Sequence, residues 1–279
     1  MKKIWYRFYK NKLAFAGFVI LMIFVILAVF APLIAPYDPF KMNPDKMLKA
    51  PSLKHWFGTD QFGRDIMSRV IYGSRISFKV GIISVGISLF IGTTMGIFAG
   101  FYGGIIDGII SRIMDVMFSF PHILLALVIM AILGADLTNL MIAIGIVYIP
   151  IFGRIARGSV LSIKDNLYIE AADSIGVHNF IIMWRHILPN ILAPVIVQTT
   201  LSFGFAIRAE AALSFLGLGV EPDVPSWGIM LNEGKDWMEM AWWVAVYPGV
   251  AATLAILSFN VLGDGLRDAL DPKLKNESE

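Results

Sequence analysis

Arg208 and Glu210 are the side chains of this sequence that most need a chemical explanation. They sit in GFAIRAEAALSFLG, a run otherwise fit for the inside of a membrane. A charge at the centre of a membrane helix costs about 2.5–3.5 kcal/mol on insertion scales, and residues kept there commonly face a bundle interior or a watery cavity. Two positions apart, they point to different sides of a helix and do not neutralise one another. One reading puts at least one of them on a substrate pathway. The other puts both near the outer end of the helix, with their heads drawn to its surface. Enzymatic chemistry has little else to work with. The chain has no cysteine, which excludes disulfides and cysteine-held metals. His55, His122, His178 and His186 are scattered over an outer loop, a membrane segment and an inner loop, too dispersed for one metal cluster without unusual folding. There is no G-x-x-x-x-G-K-S/T for a nucleotide, and no G-x-S-x-G or H-E-x-x-H for hydrolysis. The expectation is a chain with no catalytic residue, no metal and no cofactor of its own.

Membrane helices must position these residues. Of the 279 residues, 57% are hydrophobic and only 16% charged, where soluble domains carry about 25% charged. Such a chain does not cover a water-facing surface, so it reads as an all-α integral membrane protein. The formal net charge of +2 argues against nucleic acid as a partner. Six apolar segments approach the roughly 20 residues that a bilayer core demands: 14–35, 76–100, 113–133, 140–157, 192–216 and 241–262. The first lacks the cleavage grammar of a signal peptide. The chain then divides into a leading segment 1–13, a first span with a long loop 14–75, a five-helix core 76–264, and a tail 265–279.

The start, MKKIWYRFYKNK, is strongly basic, and the positive-inside rule keeps it in the cytoplasm. Six crossings return the C-terminus to the same side. The stretch 101–112 then lies inside, and 217–240 lies outside. The latter carries Glu221, Asp223, Glu233, Asp236 and Glu239 against Lys235, which suits an outer loop. The outer loop 37–75 runs against the rule, with Lys41, Lys46, Lys49, Lys54, Arg64, Arg69 and Arg75. Its distal part, 65–72, has the pattern of an amphipathic helix resting on the outer surface. Gly92, Gly96, Gly100 and Gly104 recur every fourth residue, a spacing that lets another helix approach closely. Pro121, within FSFPHILLAL, should kink the third span, either beside a pathway or as a purely structural bend.

Between the fourth and fifth spans lies a polar island, YIEAADSIGVHNFIIMWRHILPN, residues 168–190. Asp165 is placed to cap a helix over 166–174. Alanines in it permit close contact, Glu170 offers a charge, and Gly176 suits the left-handed position that ends a helix. A second short helix over 178–187 carries Phe180, Ile181, Ile182, Met183 and Trp184, and Pro189 should stop or redirect it. Two short helices with exposed apolar residues make a good plug for a cleft on another protein. An ordinary amphipathic linker on the membrane surface is the plainer reading.

Here the sequence resembles a known family. Glu170-Ala171-Ala172, Gly176 and Leu188-Pro189 are similar to the EAA loop of permease subunits of bacterial ABC importers with the type I fold, although His186 stands where that pattern has an aliphatic residue. RHILPN resembles the version found in the peptide and nickel branch. So do HWFGTDQFGRDIMSRVIYGSRISF, EAALSFLGLGVEPDVPSWGIML and the start WYRFYKNKLAFAGFVIL, so the likeness spans nearly the whole chain. Within that branch it resembles the permease subunit named C in dipeptide and oligopeptide systems. The resemblance implies a multi-pass subunit of the bacterial cytoplasmic membrane, embedded in lipid and paired with a homologous second permease. It implies two cytoplasmic ATPases that bind ATP and Mg, and an extracytoplasmic binding protein that delivers cargo. It implies that Glu170, Ala171, Ala172, Asp173, Gly176, Leu188 and Pro189, within a loop 158–191, couple the pore to the ATPases. Peptides are the commonest cargo of this branch; nickel, metallophores and glutathione are alternatives. A secondary transporter would carry its own broken helices and buried carboxylates at the midplane, and an intramembrane hydrolase would need a nucleophile beside His122.

Overall fold

A computed structural model describes residues 11–219 and 224–270, and every regular element among them is a helix. The basic start up to residue 10, Glu221 and Asp223, and the tail beyond 270 lie outside the described residues. Five helices are long and apolar enough to cross a membrane, or six if one bent pair counts as a span.

Helix α1, Lys12–Val29, opens on Asn11, whose side chain accepts the Ala14 N–H at 3.2 Å. Helix α2, Ile66–Tyr102, has 37 residues and a length of about 55 Å, well beyond a bilayer core. Its first turns therefore stand outside the membrane. This corrects the expected surface helix over 65–72: that stretch is the outer end of α2 itself. Asp65 caps it, accepting both the N–H and the hydroxyl of Ser68 at 2.8 Å.

Helix α3, Gly104–Phe118, and helix α4, His122–Leu133, meet at 93°. The expected third span with a kink is thus a broken one, and the expected inner loop 101–112 is largely helix. Pro121 has no N–H to continue the ladder and drives Phe120 away from helical geometry, so the chain breaks instead of bending. Helix α5, Leu137–Ile163, is longer than the predicted fourth span and starts at Asp136, which accepts the Thr138 N–H at 2.7 Å. That bond holds the Asp136 carboxyl below the ordinary carboxylate range.

The glycine stripe joins α2 to α5. A Cβ on Gly92 or Gly96 would run into the carbonyls of Ile149 and Gly153, and one on Gly100 would lie 2.7 Å from Val160 Cβ. Gly104 is not part of this seam. Helix α2 ends at Tyr102, and Gly104 starts α3 with nothing within 4 Å of a Cβ.

Helix α6, Leu167–Ser174, follows α5 after three residues, and helix α7, Asn179–Phe215, follows α6 after four. Pro189 does not stop the chain. Residues Ile182–Ile187 form a π-type turn, in which the Leu188 N–H reaches back to Met183 O, and the helix continues. The wider turn relieves the clash a proline makes with the carbonyl four residues earlier. Helix α7 therefore begins within the predicted loop 158–191, and its 37 residues, like those of α2, run beyond a bilayer core.

Helix α8, Trp227–Lys235, and helix α9, Trp243–Leu270, follow; α8 folds back onto α7 and α9 and touches α2, and α9 packs against α1 and α7. α9 continues past the predicted tail boundary at 265. The outer region is cross-tied by ions, with Asp60, Arg64 and Arg69 buried and Glu233 half-buried. Arg64 Nε lies 2.5 Å from Asp60 Oδ2, and its Nη2 lies 2.9 Å from Glu233 Oε2. Arg69 reaches the same Glu233 oxygen at 3.3 Å. Two of the cations that run against the positive-inside rule are thus enclosed and neutralised. Trp227, fully buried, donates from Nε1 to Val70 O at 3.0 Å, and Trp243 donates to Thr59 O at 3.2 Å.

Candidate coupling surface and membrane charges

Helix α6 is built to show one face and bury the other. Its cap residue is Asn166, not Asp165, and Asn166 O accepts the Ile169 N–H at 2.8 Å. Gly176, at φ +78°, ends the helix. Its N–H reaches Asp173 O at 2.9 Å, and the Val177 N–H reaches Ala172 O at 3.0 Å. This is the paired 5→2 and 6→1 closure that a left-handed glycine permits.

Ile169 and Ala172 point inward, 4% and 7% exposed, into a cluster with Ile97, Ala156, Ile182 and Met183. Full burial of an isoleucine is worth roughly 1.5–3 kcal/mol, so these two residues fasten α6 to the inner ends of α2, α5 and α7. Glu170, Ala171, Asp173 and Gly176 point outward. The predicted Glu-Ala-Ala group is therefore split: two members are presented and the third is an anchor. Leu188 joins the same inner cluster half-buried, and Pro189 is exposed beside it. Leu167, Ile175 and Phe180 are 83%, 80% and 56% exposed around the presented face. Apolar side chains bared in this number around one short helix suit a partner's cleft.

The two membrane charges are separated by the fold. Glu210 is fully buried on the α2–α7 seam, where it accepts from Ser214 Oγ at 2.9 Å and from Ser77 Oγ at 3.4 Å. Arg208 lies exposed on another side of α7, its guanidinium 4.9 Å from the centroid of Phe205.

Two ion pairs in the inner half involve residues not singled out from the sequence. Arg157 grips Asp107 with two bonds, 2.5 and 2.6 Å, and Arg154 reaches Asp115 at 2.7 Å. The signal was present: GIIDGIISRIMD places two acids on α3, and GRIAR places two arginines one turn apart on α5. Among the described residues, no group of three or more His, Asp or Glu is placed to hold a metal.

Residues 92–276 match the family described as binding-protein-dependent transport system inner membrane component. Residues 1–51 match the N-terminal transmembrane domain of oligopeptide transport permease C. The chain is 51% identical over 267 residues to the dipeptide transport system permease protein DppC of Alkalihalophilus pseudofirmus, covering 96% of this chain and 88% of that protein. It is 45% identical over 282 residues to the di/tripeptide transport system permease protein DppC of Pseudomonas aeruginosa, covering 99% and 93%. It is 46% identical over 274 residues to the glutathione transport system permease protein GsiD of Escherichia coli, covering 98% and 90%. Among solved structures, a chain of the inward-facing MetNI methionine ABC transporter matches with a TM-score of 0.59 at 16% identity, covering 74% of this chain and 98% of that one. At that identity the likeness concerns the fold.

Proposed function

This chain belongs to the family of binding-protein-dependent transport system inner membrane components, and on that premise we propose that it passes small peptides inward through a pore worked by separate ATPases. The presented face of α6 carries this reading. It is exposed, rimmed by apolar side chains, and held by short connections to two spans. Glu170, Ala171, Asp173 and Gly176 meet a groove on an ATPase, while Ala172, Leu188 and Pro189 set the height and angle at which they do so.

A lever needs stiff connections. Three residues link α5 to α6 and four link α6 to α7, so a displacement of α6 moves both spans. The glycine seam makes α2 follow α5 as one body. Closure of two ATPases around ATP and Mg draws the handles of this chain and of a homologous second permease together, and the pore turns outward to receive cargo from a binding protein. This is rigid-body switching between two states, and it asks no bond chemistry of the chain. Arg208 stands on the pathway side; Glu210, bonded to two serines, braces the α2–α7 seam. Both ends of the chain lie on the inner side, with α1 as an outlying span beside the other five.

Dipeptides and tripeptides are the cargo. Two of the relatives are named for them, and a third is named for glutathione, a peptide of similar size. The decisive experiment measures substrate-stimulated ATPase activity of the reconstituted complex. Glu170→Lys should weaken stimulation by about tenfold, as expected when a charge-assisted contact is lost. Coupling at the level of the unmodified complex would defeat the handle.

A further inference from the structure

Six side chains from four helices form a continuous ladder through the membrane. At its outer end the Arg208 guanidinium lies over Phe205 at 4.9 Å. Phe205 stacks on Tyr148 at 6.3 Å and 10°, and Tyr148 on His122 at 5.7 Å and 15°. His122 meets Phe118 edge-on at 5.9 Å, and Arg154 lies over Phe118 at 4.0 Å. Centroids 4.5–7 Å apart are the range in which rings attract, and a cation over a ring adds to this.

The ladder runs from the outer part of α7 to the inner part of α5. Arg208 is seven residues from the outer end of α7, about 10 Å, and Arg154 is nine residues from the inner end of α5, about 13 Å. It lies beside the break between α3 and α4. Irregular backbone at membrane depth is tolerated where it is covered by protein or lines a water-filled cavity, and here Ser119, Phe120 and Pro121 are exposed. The glycine seam with α2 occupies a different side of α5. Phe118, His122 and Phe205 are each only half-buried, and His122 Nε2 is enclosed without a hydrogen-bond partner among the described residues.

The two ends differ in charge. Arg154 is answered by Asp115 at 2.7 Å. Arg208 makes no ion pair among the described residues, and nearby Glu210 is bonded to serines on another side of α7. The outer half of the ladder therefore carries an uncompensated positive charge above a run of aromatic faces.

We propose that this ladder is the wall along which cargo passes, and that Arg208 receives a carboxylate of the cargo at its outer end. An anionic or zwitterionic molecule with an apolar body fits: the carboxylate meets the guanidinium, and the body slides over rings that hold nothing tightly. A bare divalent cation is repelled at the same place. The proposal rests on the importer reading above and sharpens its cargo.

The test uses the complete complex in proteoliposomes, with both permeases, the ATPases and the binding protein, and follows uptake of a labelled dipeptide. Arg208→Gln should lower the uptake rate by about ten- to a hundredfold, the loss expected for a charged hydrogen bond. Arg208→Lys should recover most of it, and the second permease should co-purify with either variant. Tyr148→Leu, which interrupts the ladder and leaves both arginines, should lower the rate less. Uptake by Arg208→Gln equal to that of the unmodified complex would overturn the proposal alone. Loss of the second permease from the Arg208→Gln complex would overturn it too, by making Arg208 an assembly contact. No dipeptide uptake by the unmodified complex would remove the peptide reading itself, and the carboxylate contact with it.

Discussion

The outer and inner ends of this molecule are held by different forces. Outside, charges are locked away: Arg64, Arg69, Asp60 and Glu233 share one largely buried network, and two tryptophans donate hydrogen bonds to the backbone of facing segments. Inside, α6 rests on apolar contacts from Ile169 and Ala172, and its polar side chains point to water. Buried ion pairs fail abruptly when one partner is removed, since the other is left uncompensated. Apolar contacts tolerate small displacement. The outer end is thus suited to keep its shape while the inner end gives.

The largest expected effect tests the rigid end. Arg64→Ala leaves Asp60 and Glu233 short of a cation and should destabilise the protein by about 3–5 kcal/mol. Thermal unfolding in detergent would record it, against Lys41→Ala as an exposed control expected to stay within about 0.5 kcal/mol. Equal melting temperatures for the two variants would erase the contrast between the ends.

A pair of adjacent alanines tests the inner end. Ala172→Leu forces volume into the cluster beneath α6 and should cost about 1–3 kcal/mol of stability. Ala171→Leu, facing out, should leave stability within about 0.5 kcal/mol yet reduce coupling to the ATPases. If unfolding and stimulated ATPase activity moved together in both variants, α6 would have no separate anchoring and presenting faces.

The inner end was more legible in the sequence than the outer. Gly176 and the alanines have local meanings, because a helix end needs a left-handed residue whatever lies elsewhere in the chain. The lengths of apolar runs likewise located the spans. The buried network was illegible, since Arg64 and Glu233 are 169 positions apart and their meeting depends on α8 folding back. Seven cations in one loop looked like a violation of charge asymmetry, and only pairing across the fold removes two of them. Asp165 and Asn166 are equally good caps by residue type, so one position of register decided between them. Pro121 and Pro189 show the same limit: one breaks its helix at 93°, the other is absorbed by a π-type turn. Composition around a proline does not say which outcome its neighbours allow.

The smallest expected effect separates two reasons for Gly176. Its φ of +78° strains any residue with a Cβ, yet nothing lies within 4 Å of where that Cβ would be. Within the isolated chain, Gly176→Ala therefore costs only the backbone term, about 1 kcal/mol. Asparagine tolerates the left-handed region better than alanine does, but it is the larger side chain. If Gly176 matters for closing α6, Gly176→Asn should retain more coupling than Gly176→Ala, and the melting temperatures should rank the same way. If it matters because an ATPase surface lies against it, the order of coupling reverses while the melting order stays. Stimulated ATPase activity of the two variants, read beside their unfolding, distinguishes a glycine that shapes the handle from one that makes room for the hand.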